Sequence, residues 1–169
     1  MNAMSDDNAS HNAVVIERSF EAPPDLIWQM WTDPKHFEAW YGPDGVTISV
    51  AVMDVRVGGR RLVSMTMETP GGPMEMWFTG EHREVVLNRR LVFTESISDE
   101  DGNVLSPQAM GMPEGHPATT EVIVELEDVG GKTKMVMTHV GIPADSPGAA
   151  GWEMAFDKLS IYAEGQSAR

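Results

Sequence analysis

The chain has 169 residues, 41% of them hydrophobic, and a formal net charge of −14 from 12 basic and 26 acidic side chains. That length and apolar fraction fit one globular domain with a sizeable core and exclude an intrinsically disordered chain. The acidic balance repels phosphate backbones and anionic lipid headgroups, which argues against nucleic acid and membrane surfaces as partners, and the lack of cysteine removes disulfides and thiolate chemistry.

Residues 1–11, rich in Asn, Asp and Ser, read as a frayed tail, and 12–169 as a single domain. The stretch Met1 to Asn12 is polar and acidic, without the basic start and apolar run of a secretion signal. No apolar stretch is long enough to span a bilayer, so membrane insertion is not expected and a cytoplasmic location is. A β-rich run then ends at Phe20, with Val14, Ile16 and Phe20 on one face. Ala22-Pro23-Pro24 stops the strand and starts a helix carrying the stripe Leu26, Ile27, Met30 and Trp31. Asp33-Pro34 restarts the chain as a second short helix, with Asp33 as its cap, and Gly42-Pro43 ends it.

Val46 to Val57 alternates cleanly through Val46, Ile48, Val50 and Val52, and Gly58-Gly59 turns it back into Arg60 to Glu68. Pro70-Gly71-Gly72-Pro73 marks a hairpin, followed by strands Met74 to Val86 and Leu91 to Ile97. Ser98 to Ala118 breaks the rhythm with an acidic turn at Asp99-Glu100-Asp101-Gly102 and then repeated Pro, Gly and Met. A loop this long is expected to be mobile, with Met110 and Met112 available to cover a pocket mouth. Thr119 to Glu127 and Thr133 to Gly141 complete the strands, and Pro147 to Gly165 is a helix with Trp152, Ala155, Phe156, Leu159, Tyr162 and Ala163 along one stripe. The order β-α-α-β-β-β-β-β-β-α gives an α+β class, an antiparallel sheet wrapped around the last helix.

That order resembles the helix-grip, or START-like, superfamily of polyketide cyclase-like and lipid-transfer domains. Local motifs narrow the resemblance: Arg18-x-Phe20-x-Ala22-Pro23, Ile27-Trp28-Gln29-Met30-Trp31-Thr32-Asp33-Pro34, Trp40-Tyr41-Gly42-Pro43, Asp54-x-Arg56-x-Gly58-Gly59, Gly80 with Glu84, Leu91-x-x-Thr94-Glu95, and finally Gly151-Trp152 with Asp157-Lys158-Leu159. Together they resemble the family of activator of heat-shock-protein-90 ATPase homologues in its stand-alone form. The resemblance covers nearly all of the chain after His11 and departs at Ser98 to Ala118, which is longer and richer in Met, Gly and Pro. The family name comes from a two-domain co-chaperone, and the resemblance is to its C-terminal domain alone.

Period-two spacing places Met65, Met67, Met135 and Met137 on inward faces, and methionine adapts to irregular apolar ligands. With Trp77, Phe93, Trp152 and Phe156 these residues outline an apolar cavity between sheet and last helix, so the expected ligand-binding set is Met65, Trp77, Phe93, Met137, His139, Trp152 and Phe156. Among the histidines, His139 follows Met135 and Met137 at the same spacing and His82 shares a face with Phe78 and Gly80. Either can be a hydrogen-bonded core residue or an acid-base group, and removing His139 is expected to cost little stability. Glu95 shares the face of Leu91 and Phe93, with Arg61 as the expected partner for its carboxylate, and Arg18 is a third inward-leaning polar group. No histidine pair has metal-ligand spacing, no nucleotide-binding Gly pattern occurs and no serine sits in a nucleophile elbow, so neither metal nor cofactor is expected.

Three readings follow. The first is a module that binds a small apolar or aromatic molecule. The second is a cyclase- or dehydratase-like enzyme in which His139, Glu95 or His82 moves protons. The third is a chaperone-associated stress-response protein acting through its surface, with a chaperone or a second copy of the chain as partner. Inward polar groups distinguish the second from the first, and an exposed apolar patch would favour the third.

Overall fold

A computed structural model of the chain describes residues 13–106, 108 and 117–167. Its elements follow the expected order: β1 (Ala13–Phe20), α1 (Pro24–Thr32), α2 (Pro34–Trp40), β2 (Val46–Met53), β3 (Arg60–Thr69), β4 (Gly72–Val86), β5 (Arg90–Ser98), β6 (Thr120–Val129), β7 (Lys132–Val140) and α3 (Pro147–Ser167). The strands form one seven-stranded sheet in the order β1-β7-β6-β5-β4-β3-β2. Every neighbouring pair is antiparallel. Consecutive strands from β2 to β7 are neighbours, joined by short turns except for the long connection between β5 and β6, and β1 closes the far edge against β7. This is the helix-grip arrangement, with Phe156, Leu159 and Ala163 of α3 fully buried in the core.

Pro23 caps α1, which ends in the extended residue Asp33. Asp33 then caps α2, its Oδ1 accepting the backbone N–H of Lys35 at 2.9 Å. That junction sets α1 and α2 at an angle and brings Trp31 and Trp40 together edge-to-face, with centroids 4.7 Å apart. The Trp40 indole N–H donates to the Met30 carbonyl at 2.9 Å, tying the pair to the backbone.

Two expectations need correction. The strand expected to run to Val57 ends at Met53, after a register shift between Val50 and Val52 that turns Val52 outward. Residues 54–59 form a turn in which a Cβ on Gly59 would collide with the Asp54 carbonyl oxygen. The last helix does not stop at Gly165 but continues to Ser167. Gly165 lies on the exposed side with nothing within 4 Å of a Cβ position, so it only weakens the helix there.

After β5 the chain is less irregular than its composition implies. Asp99 Oδ1 accepts the N–H groups of Asp101 and Asn103, each at 2.9 Å. Those contacts, the Asn103 backbone first, hold its carboxyl below the ordinary range. Ser98 bridges to Val104, and Gly102 sits against Arg60 and Thr79. This turn therefore crosses the outer face of β3–β5, away from α3. Met110, Met112, His116 and the tail of residues 1–11 lie outside the described residues.

Candidate functional site

The Trp152–Phe156 face of α3 is expected to leave a gap over Phe93 and Met137. Instead that space is filled. Phe93, Met137 and Phe156 are fully buried and pack into the aromatic layer around Trp31. The gap lies one step towards the start of α3. There a cleft of about 350 Å3, open to solvent, is lined by Tyr41, Gly42, Pro43, Met65, Phe78, Glu95, His139, Pro147, Gly148, Gly151, Trp152, Met154 and Ala155.

Three segments build its walls. The end of α2 turns out through Tyr41 in an extended conformation. Gly42 follows at φ 84°, where a side chain is strained and a Cβ would stand 2.8 Å from Val46 Cγ2 and 3.1 Å from Met65 Cε. Glycine at this point lets the chain drop against the edge of β2 and β3. The sheet contributes Met65 and Phe78, which share a face because Met65 pairs with Met76 across β3 and β4. Helix α3 contributes its first turns, with Gly148 and Gly151 leaving room beside Trp152.

The cleft's polar groups are held by a connected set of hydrogen bonds. The Trp152 indole N–H donates to His139 Nδ1 at 2.9 Å. An indole can only donate, so Nδ1 keeps its lone pair and the ring proton sits on Nε2. Nε2 lies 2.8 Å from Thr120 Oγ1, and that hydroxyl donates in turn to the Glu95 carbonyl at 3.2 Å. Both ring nitrogens of His139 are thus engaged, in a buried ring that meets Trp152 edge-on at 89°.

The Glu95 side chain is the second polar feature. Its Oε2 accepts the Tyr41 hydroxyl at 2.9 Å and Arg61 Nη1 at 3.4 Å. Burial pushes the Tyr41 phenol well above its ordinary pKa, and the neighbouring Glu95 charge adds to that. Arg61, only 1% exposed, lies behind this pair. Its Cζ stands 3.9 Å from the centroid of Phe93 and 5.4 Å from that of Phe37. Its Nε and Nη2 have no hydrogen-bond partner among the described residues, so two aromatic faces stand where acceptors would be expected.

Of the residues singled out from sequence, Met65, His139, Trp152 and Glu95 meet at the cleft, and Arg61 pairs with Glu95 as expected. Trp77 is misplaced by the sequence reading. It pairs with Ser64 and Ser98, on the face opposite Met76 and Phe78, and its indole donates to Glu75 at 3.0 Å. His82 lies buried outside the cleft wall. Its backbone exchanges hydrogen bonds with Gly58 and Gly59, and Nδ1 lies 3.2 Å from the Gly59 carbonyl, so it anchors the turn of residues 54–59. Burial, and secondarily Arg61, lowers its pKa. Arg18 leans inward to α3, where it meets Asp157 at 2.7 Å, and does not line the cleft. Tyr41, Phe78 and Met154 escaped the sequence reading. The Trp-Tyr-Gly-Pro run was the available signal, since Gly-Pro after two aromatics turns an aromatic side chain away from the helix axis.

Among the described residues no cluster of His, Asp or Glu is arranged to hold a metal ion, and no helix is long and apolar enough to cross a membrane.

No curated protein matches the chain. Solved structures resemble it in fold. A Chromobacterium violaceum protein superposes with a TM-score of 0.73 at 22% identity, covering 90% of this chain and 97% of its own. An Arthrobacter aurescens protein gives 0.72 at 19%, covering 93% and 88%. The AHSA1 protein of Silicibacter pomeroyi gives 0.69 at 18%, covering 91% and 99%. At these identities the likeness speaks for the fold alone. The family profile described as "Activator of Hsp90 ATPase homolog 1-like protein" matches residues 21–164, nearly the whole described domain. On that match the chain belongs to the family of activator of Hsp90 ATPase homolog 1-like proteins.

Proposed function

We infer that this chain is a small-molecule binding protein whose ligand occupies the cleft between the start of α3 and the sheet. One observation carries the reading: a cleft of about 350 Å3 walled by Tyr41, Met65, Phe78, Trp152 and Met154, whose side-chain polar groups are few: Glu95, His139, the Tyr41 hydroxyl and the Trp152 indole N–H. That size and that mixture, mostly apolar with a few fixed polar groups, are typical of sites for small organic ligands. The methionines supply a wall that adapts, while the rings of Tyr41 and Trp152 supply flat apolar area.

The enzyme alternative draws less support from the same residues. A proton-transfer group needs a free lone pair or proton within reach of the substrate. Both nitrogens of His139 are already engaged and His82 does not line the cleft, which leaves Glu95, through Oε1, as the one candidate of the three with lone pairs open to a ligand. Titrating the protein with a small aromatic probe and following tryptophan fluorescence tests the reading. Saturable quenching that is lost on replacing Met65 by Glu is expected. Quenching that persists unchanged in Met65→Glu would place binding elsewhere.

A further inference from the structure

Within that binding reading, on which this step rests, we propose that Glu95 selects the ligand's polar end. It takes a neutral hydrogen-bond donor, a hydroxyl or N–H group on an apolar body, and rejects carboxylates.

The two carboxylate oxygens of Glu95 stand in different surroundings. Tyr41 and Arg61 both donate to Oε2. Oε1 receives no hydrogen bond from the described residues. The side chain nevertheless keeps 13% of its surface exposed, and it lies on the cleft wall. A carboxylate oxygen can only accept, so the group that completes this site must donate. The other polar lining side chains leave that role to Glu95: the Tyr41 hydroxyl already donates to Oε2, the Trp152 indole to His139 Nδ1, and the His139 ring proton points to Thr120.

Charge narrows the class further. Arg61 sits behind Glu95 and balances it, so the pair is neutral as a unit and a cationic ligand gains little over a neutral donor. A carboxylate ligand would face the lone pairs of Oε1 directly and would enter a protein with net charge −14. The ligand class that remains is a phenol, alcohol or amide N–H carried on an aromatic or short aliphatic body.

Three probes that share one apolar body and differ in the polar end test this: 4-butylphenol, 4-butylanisole and 4-butylbenzoate, each titrated against the intact protein by calorimetry. The phenol should bind about tenfold tighter than the methyl ether, as expected for one hydrogen bond to a charged acceptor, and the benzoate should bind most weakly. Glu95→Gln gives the sharper readout. Tyr41 and Arg61 both need an acceptor, so they claim the amide oxygen and leave the NH2 group facing the cleft. In that variant the phenol-to-ether ratio should collapse towards one and the benzoate should become the strongest of the three. Should Glu95→Gln fail to fold around an unbalanced Arg61, Arg61→Met with Glu95→Gln removes that charge and must still abolish the phenol preference. Equal binding of phenol and ether to the unaltered protein, or a ratio that survives Glu95→Gln, overturns the Glu95 assignment alone. If none of the three probes binds the unaltered protein, the cleft reading fails and this assignment fails with it.

Discussion

Arg61 places a guanidinium where water hardly reaches, and its neighbours satisfy it unevenly, so removing it and removing its partner should have opposite weights. In Arg61→Met the losses are the cation–π contacts, chiefly with Phe93 at 3.9 Å and more weakly with Phe37 at 5.4 Å, and a long 3.4 Å contact with Glu95. The first are about 2 kcal/mol when desolvated and the last about 1. The gains are relief of two buried donors without partners, about 1–3 kcal/mol each, and a thioether–aromatic contact of about 1. Glu95 keeps its Tyr41 bond and its access to the cleft. The net change should be within about 1 kcal/mol of zero, or stabilising. Glu95→Leu instead leaves the buried guanidinium with no countercharge and the Tyr41 hydroxyl without its acceptor, and should cost about 3–5 kcal/mol. The 13% exposure of Glu95 argues for the lower end of that range. The double variant should recover at least about 2 kcal/mol of the Glu95→Leu loss. Urea titrations followed by tryptophan fluorescence, compared at equal m-value, measure all three. If Arg61→Met proves as damaging as Glu95→Leu, the guanidinium is a stabilising hub and the reasoning is wrong.

The remaining expectations concern the two buried histidines. His139→Ala should not be cheap, contrary to what strand alternation alone implies: it strands the buried Trp152 indole N–H and should cost about 1–3 kcal/mol before any cavity is counted. Trp152→Phe removes that donor, so in denaturant titrations the pair should cost less than the sum of the two single changes. His82 has its pKa lowered by burial, so below about pH 6.5 the unfolded chain binds a proton that the folded chain refuses. Stability should therefore fall as pH drops from about 6.5 towards the lowered folded-state value, and the slope over that window should flatten in His82→Gln; a variant with the same slope as the parent would show that another group titrates there.

How far the sequence could be read depended on whether a feature was local. The Asp33-Pro34 cap, the hairpin at Pro70-Gly71 and the stripe on α3 are local, and each appears where the residues alone place it. The pairing of Arg61 with Glu95 was also legible, because two opposite charges on inward faces have few other options. The face of Trp77 was not. Its side depends on the pairing of Met65 with Met76, and a strand misjudged by one residue turns every side chain over. Strict alternation still held a warning, since residues 77 and 82 are an odd number apart. With the register shift falling between His82 and Glu84, Trp77 and His82 cannot both face inward.

The position of the cleft was illegible for a different reason. Inward residues define a core, but where the core fails to close depends on how long side chains divide a fixed space. Here Trp31, Trp40, Phe93 and Phe156 take the middle of the grip, packed ring against ring and buried together with Met30, Met135 and Met137. Towards the start of α3 the helix offers Gly148 and Gly151, and the opposing loop offers Gly42, so bulk is missing from two sides at once. The polar groups that border this space are those whose partners lie in the strands behind it: Glu95 held by Arg61 of β3 and by Tyr41, and His139 held by Thr120 of β6. A cleft with yielding methionine walls and an immobilised polar end can accept varied apolar bodies while fixing one orientation. That division of labour suits recognition better than proton transfer, since both nitrogens of His139 are tied down and Glu95 is left without a second proton-transfer group beside it.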